Sequence, residues 1–305
     1  MRQIFLALMM TFLFNIGTTV AATYKEGFSA YTSGDYEKAL LIFRQMAANG
    51  DIYAQHGLGL MYENGKGVKQ DYSEAFKWYY LAAEQKLMPA QNNIGSMYEN
   101  GRGVEQSYVL AEKWYRLAAD YGDATAQFNL GVLYAAGNGG SQNYREALKW
   151  HRLSAKQNNG NAQNNLGWMY ENGLGVDIDY QEAIRWYRLA AEQGNALAQV
   201  NLGMKYDNGQ GVVQSYSEAV KWYRLAAKQS DGKGQNNLGS MYAQGQGVQP
   251  DNVRAYMWLY LSAQSGFSDA IRNSVAVSKA ISPVQILAAQ KMASQCKKQN
   301  FRNCD

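Results

Sequence analysis

The chemistry available to this chain depends on a small set of nucleophilic and metal-binding side chains. Ser294 and Lys297 have the Ser-x-x-Lys spacing, in which a lysine one helical turn from a serine can activate its hydroxyl for acyl transfer. The pattern is short, and the Lys-Thr-Gly sequence that completes this type of acyl-transfer site does not occur in the chain. We therefore predict no catalytic residue and no enzymatic activity.

A metal or cofactor site is also poorly supported. The two histidines, His56 and His151, are far apart in the chain, and no cysteine cluster has the spacing of zinc ligands. We predict that His151 fills a packing position and that the protein holds no metal ion. Gly-x-Gly sequences begin at positions 65, 101, 137, 173, 209 and 245. They lack the third glycine and the preceding strand of a dinucleotide-binding loop, so they predict turns, and we expect no cofactor.

The first residues have the pattern of a secretory signal peptide. Arg2 precedes an apolar run from Ile4 to Phe14, and small residues at positions 20–22 suit cleavage after Ala22. The alternative is an uncleaved anchor helix. However, the run is shorter than the roughly 20 apolar residues that span a bilayer, and no later segment is long enough. We expect no stable membrane span in the mature chain.

The composition of the predicted mature chain limits its partners and its redox state. Without Arg2 the chain has 28 basic residues (29 minus one) and 25 acidic residues, a net charge of +3. This charge is too small to favour nucleic acid as a partner. The two cysteines, Cys296 and Cys304, would meet an oxidising compartment after export. We predict an intrachain disulfide between them, and a free pair or an intermolecular bond are the alternatives.

A repeat of 36 residues organises most of the chain. Its first marker is Leu or Ile followed by Gly, with the Leu or Ile at 58, 94, 130, 166, 202 and 238. A Tyr follows four positions later, and the second half of each repeat contains a Trp at 78, 114, 150, 186, 222 or 258. Apolar residues at helical spacing on both sides of each Gly-x-Gly turn predict two helices per repeat. Because one helix pair cannot bury its apolar face alone, we predict that the pairs stack into an all-α solenoid.

The repeat has a recognisable sequence. The stretches 162–176 (AQNNLGWMYENGLGV) and 180–191 (YQEAIRWYRLAA) contain all of these markers. They resemble the Sel-1-like repeat, a branch of the tetratricopeptide-repeat superfamily. The resemblance implies a right-handed α/α solenoid of antiparallel helix pairs. With the signal peptide, it also implies a bacterial exported protein in the periplasm or outside the cell.

The pattern divides the chain into four segments. Residues 1–22 are the predicted signal peptide, and residues 23–50 resemble a plain tetratricopeptide hairpin. Residues 51–266 are six Sel-1-like repeats of 36 residues each. Residues 267–305 are predicted to be a helical C-terminal cap, which covers the last apolar face and presents a polar face to water.

Three positions of each first helix lie opposite its Leu and Tyr stripe. They are two before, two after and five after the Leu or Ile, and we name them inner positions −2, +2 and +5. They differ between repeats where other positions do not, so we predict that they line a binding groove on the concave face. The predicted partner-binding residues are His56, Asn92, Phe128, Val132, Asn164, Trp168, Val200 and Met204. Trp168 and Phe128 are the predicted anchors; the alternative is that these side chains only pack against neighbouring repeats.

These observations favour an exported scaffold for protein–protein interaction. The expected partner is another protein or a peptide, and the sequence leaves its identity and the oligomeric state open. The second hypothesis is a cell-wall-directed enzyme or a glycan- or β-lactam-binding protein of the envelope, because a disulfide-rich exported branch of the family has been described as binding penicillins. That branch has a cysteine pair in nearly every repeat, whereas the repeats of this chain contain no cysteine.

Overall fold

The computed structural model describes residues 23–301 and 304, so the predicted signal peptide and its cleavage site after Ala22 lie outside the described residues. The described residues form sixteen α-helices and no strand. The helices are α1 (Tyr24–Ser33), α2 (Tyr36–Ala48), α3 (Ile52–Asn64), α4 (Tyr72–Glu84), α5 (Met88–Asn100), α6 (Tyr108–Asp120), α7 (Ala124–Ala136), α8 (Tyr144–Lys156), α9 (Gly160–Asn172), α10 (Tyr180–Glu192), α11 (Ala196–Asn208), α12 (Tyr216–Ala227), α13 (Gly232–Gln244), α14 (Asn252–Gln264), α15 (Ser268–Ser278) and α16 (Pro283–Lys298).

Local sequence explains where the helices of a repeat begin and end. Asp51 Oδ1 accepts a hydrogen bond from the backbone N–H of Ala54 and so caps the start of α3. The helix stops at Gly65, whose φ of 64° lies in the left-handed region that glycine adopts without a Cβ clash. Asp71 then caps the first turn of α4 by accepting two backbone N–H groups. The Gly-x-Gly sequences are therefore turns between two helices, as the sequence predicted.

In the first five repeats, the glycine beside the Leu or Ile makes room for a ring from the second helix of the same repeat; in the sixth, Gly239 makes room for Leu259. A Cβ atom on Gly59 would overlap the ring of Tyr79. In the third repeat the ring on Gly131 belongs to His151, which is 1% exposed and fills a packing position as predicted. The recurring glycine is therefore required by the hairpin itself, since without a Cβ atom the two helices approach closely.

The chain divides into two compact units, one ending at Ala126 and the other beginning at Gln127. In the first unit, consecutive helices from α1 to α6 pack against each other. In the second unit, consecutive helices from α8 to α15 do the same. Buried Ala, Leu, Ile, Met and aromatic side chains from adjacent helices form the core of each unit. The fold is an all-α solenoid of helix hairpins, as predicted.

Arginines on the second helices tie consecutive repeats together. In the second unit, Arg152 Nη2 donates to the hydroxyl of Tyr170 at 2.6 Å. One repeat later, Arg188 Nη2 donates to the hydroxyl of Tyr206 at 2.7 Å. These bonds fix the position of each first helix relative to the repeat before it, and so they help to position the inner side chains.

The C-terminal segment departs from the hairpin pattern. Helix α15 packs on α14 as a seventh first helix would, and α16 packs along α14 as well. Ala289, Ala293 and Cys296 of α16 lie in one buried cluster with Met257 and Leu261 of α14. The last helix therefore covers the outer side of the sixth repeat.

The sixth repeat has a residue suited to this contact. The five preceding repeats have a basic residue at the position of Met257, namely Lys77, Lys113, Lys149, Arg185 and Lys221. The side chains of Lys149 and Arg185 are 57% and 66% exposed, whereas Met257 is 0% exposed beneath α16. An apolar residue is needed here because a lysine would lose its contact with water.

The cap is less polar than the sequence predicted. Ile271 and Val275 of α15 are 53% and 54% exposed, and Val284 and Leu287 of α16 are also largely exposed. Val275 stands at the position that is Gly59 in the first repeat, where each other first helix has a glycine that receives a side chain from its own second helix. The aliphatic residues of α15 are exposed because α16 packs on α14.

Candidate functional site

Inner position +2 holds the predicted aromatic anchor. Trp168, on α9, is 46% exposed. Val132 on α7 and Met204 on α11 occupy the same position one repeat before and one repeat after it, and both are half-buried. All three belong to the second unit. Position +2 of repeats three to five therefore presents apolar surface to solvent.

Inner position −2 is more buried than the sequence predicted. Val200 is 1% exposed and belongs to a buried cluster with Tyr223 of α12 and Leu238 of α13. Asn164 is 8% exposed, and its Oδ1 accepts a hydrogen bond from Asn201 Nδ2 at 3.0 Å. Position −2 faces the first helix of the next repeat, so Val200 and Asn164 have almost no surface to offer a partner.

Phe128, the second predicted anchor, is half-buried at position −2 of the third repeat. It packs against a cluster formed by α8 and α9, and its ring centroid lies 5.7 Å from that of His151. Burial lowers the pKa of His151 to about 4, so the imidazole is neutral near neutral pH. Phe128 therefore packs against an apolar cluster and an uncharged ring.

The predicted site residues of the first unit lie on α3 and α5. His56 is half-buried, with its ring 5.4 Å from that of Tyr79 and its Nε2 3.1 Å from Asn93 Nδ2. Burial lowers the pKa of His56 to about 4. Asn92 is half-buried on α5. Like Asn164 in the second unit, His56 thus contacts the first helix of the next repeat.

Inner position +5 pairs with the second helix of its own repeat. A tyrosine hydroxyl donates a hydrogen bond to an acidic side chain in four repeats: Tyr79 to Glu63, Tyr115 to Glu99, and Tyr187 to Glu171, each at 2.6 Å, and Tyr223 to Asp207 at 3.1 Å. Burial, together with the neighbouring carboxylate, raises the pKa of each of these tyrosines, so they remain protonated donors.

The two remaining repeats lack both members of this pair. His151 replaces the tyrosine in the third repeat, where position +5 is Ala135. Leu259 replaces it in the sixth repeat, where position +5 is Ala243. Position +5 therefore varies together with its hairpin partner. The contact within each hairpin therefore explains why position +5 varies between repeats.

One acid of the inner surface has a second partner. Lys205, on α11, is 3% exposed, and its Nζ forms an ion pair with Glu171 of the preceding repeat. The same Nζ donates to Gln210 Oε1 at 2.5 Å. Glu171 thus binds Tyr187 through Oε2 and Lys205 through Oε1. Both oxygens of this carboxylate are engaged, one turn away from Trp168 on the same helix.

A polar groove of about 230 Å³ lies between α11 and α13. Met204, Asp207, Lys233, Asn237 and Ser240 are among its lining residues. The groove adjoins position +2 of the fifth repeat through Met204. It offers amide, hydroxyl and charged groups beside the apolar surface.

The repeats match a known family along most of the chain. The family model described as Sel1 repeat matches seven consecutive segments: residues 13–51, 52–87, 89–123, 124–159, 160–195, 196–231 and 232–267. The chain belongs to the Sel1 repeat family. The first match includes the segment that resembles a plain tetratricopeptide hairpin.

Known relatives share the repeat to different extents. The crystal structure of a Sel1 repeat protein from Oxalobacter formigenes is 36% identical, with a TM-score of 0.76, over 80% of this chain and 100% of that chain. Two curated proteins, from Rhizobium leguminosarum bv. viciae and Rhizobium meliloti (strain 1021), are each described as an exopolysaccharide production negative regulator. They are 41% identical over 66 residues and 40% identical over 68 residues. Each match covers 22% of this chain, which spans about a quarter (25%) of each relative.

The tail of this Sel1 repeat protein holds the remaining candidate chemistry. Cys296 and Cys304 lie at disulfide-bonding distance, with their Cα atoms 5.1 Å apart. Ser294 is exposed on α16, and Lys297 Nζ donates to Gln264 Oε1 at 2.5 Å. The lysine of the Ser-x-x-Lys pattern is thus directed to α14.

Two further findings concern the described part of the Sel1 repeat protein. Within residues 23–301 and 304, no group of three or more His, Cys, Asp or Glu side chains could hold a metal ion. Among the helices of the same residues, none has the length and hydropathy of a membrane-spanning segment.

Sequence reasoning missed two residues of α11, the helix that carries Val200 and Met204. Leu197 of α11 is 59% exposed at the start of its helix. Lys205 carries a sequence signal, because the same position is Met or Leu in the other five repeats: Met61, Met97, Leu133, Met169 and Met241. A lysine in an otherwise apolar column indicates a buried ionic contact.

Proposed function

We propose that this Sel1 repeat protein is an exported scaffold that binds another protein or a peptide and catalyses no reaction. The binding surface is the concave face of its solenoid at repeats three to five. Trp168 is the central residue of that surface, with Phe128, Val132 and Met204 beside it.

The exposure of Trp168 is the observation that carries the proposal. Trp114, Trp150, Trp222 and Trp258 are at most 8% exposed, as expected for side chains that pack between repeats. Trp168 lies outside their position in the repeat and is 46% exposed. Tryptophan is a frequent anchor in protein interfaces because it buries a large area with few rotatable bonds.

A comparative pull-down tests this surface. The mature chain, beginning at Thr23, is immobilised and incubated with an extract of the native cell envelope. Trp168→Ala should lose the captured protein while its circular dichroism spectrum stays unchanged. Leu189→Ala is the matched control, because Leu189 is 38% exposed on α10, a second helix. Equal capture by both variants would contradict the proposal.

Export has its own test. When the full chain is expressed in a bacterial host, we expect its periplasmic or culture fraction to contain a form that starts at Thr23, as measured by intact mass. Recovery of only the uncleaved chain from the membrane fraction would favour the anchor-helix alternative.

The absence of catalysis is tested with a labelled penicillin. We expect no covalent label on Ser294, because the amine of Lys297 binds Gln264. A label that survives denaturation and maps to Ser294 would favour the envelope-enzyme hypothesis instead.

A further inference from the structure

The charge at the inner surface differs between the two units. In the first unit, Glu63 and Glu99 each accept a tyrosine hydroxyl through one oxygen. Within the described chain, neither forms an ion pair with a lysine or arginine. In the second unit, the equivalent Glu171 is bound by Lys205. Lys205 belongs to the repeat that follows Glu171, and it occupies the position from which a side chain reaches the acid of the preceding repeat. This position holds a lysine only in the repeat that follows Glu171.

This ion pair neutralises the acid that lies one helical turn from Trp168. The third repeat contributes Ala135 where the acid would stand, so it adds no charge. The fourth repeat contributes the neutralised Glu171. In the fifth and sixth repeats, Asp207 and Lys233 line the same groove and have opposite charges. The charges of Glu171, Lys205, Asp207 and Lys233 thus cancel, beside the exposed apolar area of Trp168.

Side-chain amides lie along the same surface. Asn164 and Asn201 are hydrogen-bonded to each other between α9 and α11, and Asn165 Nδ2 lies 3.4 Å from His151 Nε2. Asn237 lines the polar groove. An amide side chain has two donor hydrogens and one acceptor oxygen, so the half-buried Asn165, Asn201 and Asn237 keep further capacity after one contact, whereas the buried Asn164 offers none. An extended peptide has unpaired backbone groups that can use this capacity, whereas a helix has already paired its own.

We propose that the inner surface of repeats three to five binds an extended peptide segment whose side chain at Trp168 is apolar and uncharged, and that Lys205 sets this preference by neutralising Glu171. This inference rests on the proposed function, because it assumes that Trp168 is the anchor. Lys205 acts through Glu171 and is a specificity-determining residue without being a contact itself.

Selection from random short peptides displayed on phage tests the proposal with a defined probe. The mature chain should enrich peptides with aromatic or aliphatic residues and few charges. Lys205→Met gives the position the residue found in four other repeats, so the fold should be retained. The variant leaves Glu171 charged, and we expect its selected peptides to contain Lys or Arg beside the apolar residue. A peptide with such a lysine should bind the variant about tenfold more tightly than it binds the original protein.

A double variant separates charge from structure. In Glu171→Gln with Lys205→Met, the amide oxygen still accepts the hydroxyl of Tyr187, but no charge remains. Its selected peptides should match those of the original protein. If Lys205→Met and the double variant select the same peptides, the proposal that Lys205 sets the charge preference is wrong.

The remaining outcomes distinguish this inference from the proposed function. Enrichment of charged peptides by the original protein would overturn the preference and leave the binding surface intact. Enrichment that persists in Trp168→Ala would overturn both. If the original protein enriches no peptide, the extended-peptide inference fails, and the pull-down alone decides the proposed function. A selected peptide that becomes helical when bound, measured by difference circular dichroism, would overturn the extended conformation.

Discussion

The buried histidine of the third repeat should make the protein sensitive to mild acid. His151 Nδ1 is buried and has no hydrogen-bond partner within the described residues, and the ring packs on Gly131. Protonation would place a charge in this apolar contact. Burial therefore lowers the pKa of His151 to about 4, whereas an unfolded histidine has a pKa of about 6.5.

The direction and size of the effect follow from this difference. Because the pKa is lowered in the folded state, the stabilisation is complete above about pH 6.5 and is lost as the pH falls towards 4. At about pH 5 the unfolded imidazole is almost fully protonated while the folded one stays neutral. The free energy of unfolding should therefore fall by about 2 kcal/mol between about pH 7 and about pH 5 from His151 alone.

The repeat itself supplies the control. The double variant His151→Tyr with Ala135→Glu gives the third repeat the pair that Tyr187 and Glu171 form in the fourth. It should remove the acid sensitivity of this repeat. His56 also has a pKa of about 4, but it is present in both proteins, so their difference reports His151. The introduced glutamate titrates mainly below this range, at about 4.3 in the unfolded chain.

Urea unfolding followed by circular dichroism at both pH values measures the prediction. The original protein should lose about 2 kcal/mol more than the double variant on acidification. If both proteins lose the same amount, the imidazole is not held neutral by burial, and the argument fails.

Three further predictions concern packing and the tail. Gly59→Ala should lower the free energy of unfolding by roughly 1–3 kcal/mol, since the added methyl group overlaps the ring that packs on Gly59. The control Gly140→Ala, with nothing within 4 Å of the added atom, should change the free energy of unfolding by less than about 0.5 kcal/mol. Equal urea midpoints for the two variants would contradict the packing role of Gly59. Met257→Lys should lower the free energy of unfolding by about 3–5 kcal/mol or release α16 from α14, because the substitution buries a charge. Limited proteolysis detects this release as cleavage between α15 and α16. An unchanged urea midpoint together with an unchanged digest would refute the prediction. Without reductant, the mature monomer should be lighter by two hydrogen atoms than the reduced monomer, because Cys296 and Cys304 pair within the chain. Two free thiols or a disulfide-linked dimer would contradict this intrachain bond.

The sequence predicted the helix hairpins well because their signals are local. The glycine at 65 and its equivalents end the first helices, and side-chain caps begin both helices of the first repeat. Apolar residues at helical spacing define which face of each helix is buried. These features depend on residues within one repeat, so repetition makes them easy to recognise.

The inner surface was predicted less well because its burial depends on neighbouring repeats. A projection of one helix places Val200 and Trp168 on the same side of their helices, yet one is 1% exposed and the other 46%. The difference arises because position −2 faces the next first helix, whereas position +2 faces solvent. The sequence of a single repeat does not contain this information.

Position +5 shows what internal comparison can add. The acid at this position is present only in repeats whose second helix has the tyrosine. In the third repeat both are replaced, the acid by Ala135 and the tyrosine by His151. Such paired changes indicate contact between two positions. The same comparison identifies Met257 as the one apolar residue in a basic column, although the contact with α16 was visible only in the structure.

The burial of Met257 beneath α16 has a consequence for how the array can change in length. The helix on which α16 packs, α14, belongs to the sixth repeat, so this repeat is not interchangeable with the other five. A duplication among the first five repeats would lengthen the protein and leave its C-terminal closure intact. A duplication of the sixth would place an exposed methionine in the middle of the array, where no helix covers it. The packing of α16 on the sixth repeat thus determines which repeats can be duplicated without exposing a buried residue.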